Sequence, residues 1–411
     1  MRLKFGKDEG RMETQTERKD RIVLAGACRT PIGIMGGALS NIPAPDLGAV
    51  VIKEALYRSG VPKESVNQVY MGCVIQAGQG QNVARQAAVK AGIPVEVPAV
   101  TVNVVCGSGL NCVNQAAEMI LAGDAEIVVA GGMENMSMSP YAVSQGRYGY
   151  RMGNGTLVDT MVNDALTDAF YQYHMGVTAE NIAEKWNITR EEQDDFAIQS
   201  QKKATIAREE GRFEKEIVPV EVKRKKETLI VREDEGIRPD TTIEKISKLR
   251  PAFKEHGTVT AANSSGINDG AAAIVVMSEK KARELGVTPM AFWKGGALAG
   301  VDPAIMGIGP VAATKKVLER TGYKIEDFDL IEANEAFAAQ ALAVSRELHL
   351  DEEKLNVNGG AVALGHPVGA SGCRILVTLL HEMERRNVKK GLATLCIGGG
   401  MGCALAVERE V

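Results

Sequence analysis

Val102-Asn-Val-Val-Cys106-Gly-Ser-Gly-Leu110-Asn-Cys-Val113 is the stretch around which the chain is organised. An apolar, β-branched run from Val100 to Val105 stops at Cys106. Gly107-Ser-Gly109 then opens a segment whose apolar residues Leu110, Val113, Ala116, Ala117 and Ile120 recur at helical spacing. The pattern predicts a strand, a tight turn and a helix, with a cysteine at the bend. A thiol held where a helix begins meets unpaired backbone N–H groups and the positive end of the macrodipole, and both favour thiolate over thiol. Cys106 is therefore a candidate nucleophile. The alternative is a small buried hydrophobe, the usual state of a free cysteine.

The composition around this turn narrows the class. With 411 residues, 45% hydrophobic and 24% charged, the chain can bury a large core in two or three domains. A net charge of -4 implies no nucleic-acid partner, and 44 glycines with few aromatics suit strand-to-helix turns better than base stacking. The seven cysteines are odd in number and contain no CxxC pair, which argues for a reduced, cytoplasmic setting without zinc. No apolar run approaches a membrane span, and the first twenty residues mix acidic and basic groups, unlike a targeting leader. Met1 to Asp20 is expected to be a disordered tail.

Strands and helices alternate on both sides of Cys106. Strands are predicted at Arg21 to Ala25, Gln68 to Val74, Ala99 to Val105 and Glu126 to Ala130. Helices fall after Asp46 as a cap, at Val83 to Lys90 and at Gly107 to Leu121. From Met133 to about Ser265 the texture changes to polar helices and turns, with a capping box at Thr189 to Glu192 and a basic run at Lys223 to Lys226. This reads as an excursion outside the core. The buried pattern resumes at Gly270, with strands at Ala271 to Met277, Asp329 to Ala333 and Leu392 to Ile397. Helices are predicted at Pro310 to Arg320, Glu335 to Leu348 and Ser371 to Arg385.

The two flanking halves echo each other. Val102-Asn103 leads through Gly107-Ser-Gly109 to a helix, then to Ile127-Val-Val-Ala130 and Gly131-Gly-Met133. Val357-Asn358 leads through Ala370-Ser-Gly372 to a helix, then to Ala393-Thr-Leu-Cys396 and Gly399-Gly-Met401. A duplicated α/β unit accounts for the shared order.

Four stretches carry the residue types of a site: the Cys106 turn; Glu332-Ala-Asn-Glu-Ala-Phe337 at a strand end; Gly359 to Gly372, where His366 is the lone ionisable side chain of an apolar loop; and Leu395-Cys-Ile-Gly-Gly-Gly-Met-Gly402. The last offers backbone N–H groups suited to an oxyanion. His366 has a buried structural role as its alternative. Cys106, His366 and Asn334 can also be arranged as a cysteine-protease triad, which leaves Cys396 idle. Neither a dinucleotide fingerprint nor GxxxxGK[ST] is present. The Lys223 to Lys226 run reads as a solvated face or as an electrostatic lure for a phosphorylated ligand.

Taken together, Asn103-Val-Val-Cys-Gly-Ser-Gly109, Gly131-Gly-Met-Glu-Asn-Met-Ser137, Asn263-Ser-Ser-Gly-Ile-Asn-Asp-Gly270, Asn334-Glu-Ala-Phe-Ala338, Gly365-His-Pro367 and Cys396-Ile-Gly-Gly-Gly-Met-Gly402 resemble the thiolase family, in family order, over about Arg21 to Val407. The resemblance is closest to the short-chain biosynthetic type. Asn111-Cys112 and Ser264 depart from it and are not expected to touch the chemistry. It implies an α/β thiolase fold, duplicated halves in a layered αβαβα core with an inserted loop domain. The expected limits are 21–132 with 266–285 for the N-terminal half, 133–265 for the loop domain and 286–411 for the C-terminal half.

The implied activity is condensation of two acetyl-CoA to acetoacetyl-CoA and its thiolytic reversal. Cys106 would carry the acetyl group, His366 activate it, and Cys396 act as second acid/base. Asn334 would hold a water in one oxyanion hole with His366, while the backbone N–H groups of Cys106 and Gly398 form the other. Ser265, Arg238 and Phe253 would contact coenzyme A; Leu166, His174, Met175 and Met306 would surround the short acyl group. No metal and no cofactor beyond CoA thioesters is expected, and dimers pairing into tetramers are. A degradative thiolase for longer 3-ketoacyl-CoA, a decarboxylating ketoacyl synthase and a catalytically dead acyl-CoA-binding subunit are the competing readings.

Overall fold

The structure is a computed structural model and describes residues 21–410, so the expected tail at Met1 to Asp20 lies outside the described residues. Nine strands, β1 (Ile22–Arg29), β2 (Gln68–Gly72), β3 (Ala99–Val102), β4 (Ile127–Asn135), β5 (Asn268–Ser278), β6 (Ala291–Gly300), β7 (Leu330–Ala333), β8 (Lys390–Ile397) and β9 (Met401–Glu408), join a two-residue piece, Gly33–Ile34, in one ten-stranded mixed sheet. Its order is β7-β8-β9-β6-β1-β5-β4-β2-β3.

The duplication is visible in that order. From edge to centre, the N-terminal half runs third, second, fourth, fifth, first strand. The C-terminal half repeats this with β7, β8, β9 and β6, a single parallel bridge from Leu355 to Ile331 standing in the third place. The two first strands pair antiparallel, Ile22 opposite Trp293 and Leu24 opposite Ala291. Antiparallel pairing of equivalent strands is what a local two-fold axis requires, and it joins the halves into one sheet.

The helices are α1 (Ala44–Ser59), α2 (Val83–Lys90), α3 (Ser108–Ala122), α4 (Met175–Lys185), α5 (Arg190–Glu209), α6 (Gly309–Thr321), α7 (Ala338–Leu348) and α8 (Val368–Arg386), besides short turns. α3 and α8 pack on each other and on strands of both halves. Leu110, Val113 and Ala117 share one core with Ile375, Leu376 and Leu379 and with Val128, Ile274 and Leu405 of the sheet. α8 is buried from Val368 to Leu380, Arg374 included, and exposes only its charged C-terminal turn from Glu384 to Arg386. The outer faces are covered by α1 and α2, through Val51, Ile52 and Ala87, and by α6 and α7, through Val317 and Val344. The result is a layered αβαβα core of two similar halves.

Between β4 and β5 the chain leaves these layers. α4 and α5 lie against α7 of the C-terminal half, whereas Val218, Val220, Val222 and Val231 join the outer core of the N-terminal half. The capping box forms as expected: the Thr189 hydroxyl accepts from Glu192 N–H at 3.2 Å, and the Glu192 carboxylate accepts from Thr189 N–H at 2.7 Å. Two local expectations change. Pro43, not Asp46, is the cap of α1, and Asp46 lies in the first turn, paired with Lys90 at 2.5 Å. The glycine echo is also not structural: Gly131 and Gly132 lie inside β4, while Gly399 and Gly400 form the β8–β9 turn with φ of 82° and 84°. Gly132 is needed because a Cβ there would run into the Gly369 carbonyl of α8. The second pair is needed for left-handed backbone.

Candidate active site

Cys106 follows β3 through a strained turn. Val105 has φ 44°, a left-handed conformation costly for a β-branched residue. Ser108 holds it there: its hydroxyl accepts from Val104 N–H at 2.9 Å and donates to Val105 C=O at 2.6 Å. Gly107 N–H and Ser108 N–H are bonded to Val104 and Val105 carbonyls as well. The N–H groups expected to greet the sulfur from the helix start are thus spent inside the turn. The sulfur instead meets the N–H groups of Cys106 itself and of Gly398. Burial outweighs them and pushes the thiol up to about 11. The expected thiolate is corrected to a protonated thiol, since a side chain with 9% exposure has lost the solvation that a charge needs.

His366 approaches from the other half. Burial, with Arg374 beside it, lowers its imidazole to about 3 and keeps it neutral. The Ser371 hydroxyl donates to Pro367 C=O at 2.9 Å and lies 2.6 Å from His366 Nδ1. Its one hydrogen being committed, Ser371 accepts from Nδ1–H, which leaves Nε2 as a bare acceptor. Nε2 has no hydrogen-bond partner among the described residues. Ser371 occupies the repeat position of Ser108, so each half spends the same serine on its own site-bearing turn.

Cys106, His366 and Gly398 line one cavity of about 380 Å³, and Leu166, His174, Met175, Phe253, Ser265 and Met306 form its walls. The wall is stiffened by His174 stacked on Phe253 with centroids 4.6 Å apart and by Phe253 edge-on to Phe337 at 6.1 Å. Cys396, at the end of β8, is wholly buried against Met175, Met306 and Phe337. Burial, then the nearby Cys106, raise its thiol. Asn334 does not line the cavity; it is buried, with both amide atoms unpartnered among the described residues. Arg238 lines a second cavity of about 630 Å³ with Lys245, and the two cavities share Ala261, Ser264, Gly266 and Ile267 as a common wall. The Lys223 to Lys226 run lines neither.

Some lining residues were not singled out from sequence. Ala336 and Phe337 belong to a quoted stretch, and their apolar character hid them. Ser264, expected to be remote, forms part of the shared wall, although its hydroxyl is spent on Thr260 C=O at 2.7 Å. Asn268 accepts from His366 N–H at 2.9 Å, a contact across the halves that no local pattern signals.

The thiolase N-terminal domain model matches residues 22–280 and the thiolase C-terminal domain model residues 287–409. The chain is 61% identical to an acetyl-CoA acetyltransferase of Chromobacterium violaceum, over 94% of this chain and 99% of that one. It is 60% identical to an acetyl-CoA acetyltransferase of Cupriavidus necator, over 95% and 99%. Among solved structures, the Bacillus anthracis acetyl-CoA acetyltransferase superposes with a TM-score of 0.93 at 48% identity, covering 95% of this chain and 99% of that one. Human mitochondrial 3-ketoacyl-CoA thiolase in complex with CoA superposes at 0.92 and 43% identity, covering 95% and 98%. With its two halves and matches along nearly its whole length, the chain belongs to the thiolase family.

Proposed function

We propose that this thiolase is an acetyl-CoA C-acetyltransferase, joining two acetyl-CoA into acetoacetyl-CoA and cleaving that product in reverse through an acetyl-cysteine. The observation that carries the reading is the convergence of a buried thiol, a neutral imidazole with a bare Nε2 and the Gly398 N–H on one small apolar cavity. In the cleavage direction Cys106 Sγ–H gives its proton to His366 Nε2 as the sulfur attacks the 3-keto carbon. The bond between carbons 2 and 3 breaks, and the departing carbanion takes the Cys396 proton. CoA then gives its thiol proton to Cys396 and attacks the acetyl carbon; the carbon–Sγ bond breaks, and His366 returns the proton to Cys106. Every proton is accounted for, and condensation is the same path run backwards.

The N–H groups of Cys106 and Gly398 suit one developing oxyanion, and Asn334 with His366, through a water, suits the other. Arg238, Ser265 and Phe253 are assigned to CoA, and the His174, Met175 and Met306 wall to the acetyl group. These steps use the chain's own groups with CoA thioesters as substrates and call for no further cofactor. The seven cysteines, all free, fit a reducing, cytoplasmic setting; among the described residues no helix is long and apolar enough to cross a membrane. Dimers pairing into tetramers are supported by β3 as a sheet edge and by Tyr148 and Met152, 91% and 96% exposed.

The test is thiolysis. Acetoacetyl-CoA should be cleaved with formation of an acetyl-enzyme detectable by mass spectrometry, and 3-ketodecanoyl-CoA far more slowly, each added methylene costing roughly 1 to 3 kcal/mol in a closed pocket. Equal rates on both substrates would assign the chain to long-chain degradation instead.

A further inference from the structure

Glu134, near the end of β4, takes no part in the steps above. Its side chain is fully buried, yet four donors converge on it. Val74 N–H at 3.0 Å and Ile75 N–H at 3.2 Å come from the loop after β2, Gly369 N–H at 2.9 Å from the first turn of α8, and the Cys73 thiol lies at 3.5 Å. Gly369 is three residues past His366, whose own N–H is held by Asn268 of β5. The N-terminal half therefore grips the imidazole-bearing turn of the C-terminal half on both sides. The approach is close: a Cβ on Gly369 would lie 2.6 Å from the Glu134 carboxylate. A carboxylate at a helix start also complements the macrodipole.

We propose that Glu134 is a positioning residue for acyl transfer, tying the first turn of α8 to β4 so that His366 Nε2 reaches the Cys106 sulfur. This rests on the roles proposed above for Cys106 and His366. Glutamine at this position has one acceptor end and one donor end, so either orientation sets an NH2 against backbone N–H groups and loosens the tie. Glu134 also bears on the thiol electrostatically. It raises the Cys106 thiol beyond what burial does. Burial pushes its own carboxyl up to about 7 against the backbone N–H bonds that lower it. The titratable groups around the pair are Cys73 on Glu134, and His366 and Cys396 by Cys106.

The experiment compares wild type, Glu134→Gln and Glu134→Asp by two readouts: the rate of acetyl-enzyme formation from acetyl-CoA, and the pH dependence of Cys106 alkylation by iodoacetamide. Glu134→Gln should acetylate about tenfold to a hundredfold more slowly at unchanged KM, the loss expected of a displaced base. Its alkylation midpoint should nonetheless fall, because a nearby negative charge has gone. Glu134→Asp keeps the charge and loses the reach, so it should slow acetylation while leaving the midpoint in place. A general weakening that let solvent reach the thiol would lower the midpoint in Glu134→Asp as well, so an unmoved midpoint in that variant excludes it. Wild-type acetylation by Glu134→Gln, or an unmoved alkylation midpoint in it, overturns the proposal. If that variant does not fold, wild-type acetylation by Glu134→Asp does so. Failure of the wild type itself to acetylate refutes the acetyltransferase reading instead.

Discussion

Cys106 and His366 rest as a neutral pair, one pushed up and the other down by the same loss of solvent. On the roles proposed above for this pair, activation consists of proton transfer at the moment of attack, with little standing thiolate. In the free enzyme the rate of Cys106 alkylation should climb through alkaline pH toward a midpoint near 11, and a midpoint near the ordinary thiol value of about 8.5 would contradict the burial argument. The two cysteines should fail at different steps. Cys106→Ala should form no acetyl-enzyme from labelled acetyl-CoA. Cys396→Ala should still form it, yet lose condensation and the exchange of acetyl-CoA methyl hydrogens with heavy water. Intact-protein mass spectrometry and NMR of the thioester methyl separate these outcomes; acetylation surviving only in Cys106→Ala would reverse the assignment.

Among the elements, α3 and α8 meet where the repeated turns start them. A Cβ on Gly109 would lie 2.8 Å from Cys373 N, and one on Gly372 would lie 2.5 Å from Leu110 N. The Gly-Ser-Gly and Ala-Ser-Gly turns thus do two things: their serines hold the site-bearing turns, and their last glycines let the helix backbones touch. Gly372→Val should force the helices apart and destabilise the protein by about 1 to 3 kcal/mol or more, read by urea unfolding, and should slow acetylation, since Cys106 precedes one helix and His366 the other. Unchanged unfolding would mean that the crossing is softer than its geometry. The repeat was legible because both turns need the same residues. The glycine pairs after it were misleading, because glycine serves close backbone contact at Gly132 and left-handed turn geometry at Gly399 equally well.

For the whole molecule, the segment between β4 and β5 roofs a site whose floor comes from both halves. Arg29 of β1 anchors it, bonded to Asp234 at 2.7 and 2.9 Å and to Glu216 at 2.6 Å, all three buried. The segment also carries Arg238 into the cavity beside the one that Cys106 lines. Arg238→Ala should raise KM for acetoacetyl-CoA more than it lowers kcat and flatten the salt dependence of binding. An unchanged KM in steady-state assays would remove Arg238 from CoA recognition.

The sequence by itself determined the alternation of strands and helices, the duplication, the excursion and the residue types that carry chemistry, because periodicity, turn residues and glycine placement are local properties of the chain. It offered Cys106, His366 and Cys396 as candidates for the same reason: reactive side chains beside glycine-rich turns are visible one residue at a time. The tertiary structure decided what lies between residues distant in the chain. It joined two half-sheets edge to edge through Ile22 and Trp293, assigned the imidazole tautomer through Ser371, separated Arg238 from Phe253 and Ser265 into adjoining cavities and placed Glu134 against Gly369. It also reversed the expected charge on Cys106. A helix start favours thiolate from local geometry alone, but desolvation depends on everything packed around the sulfur, and here that term is the larger.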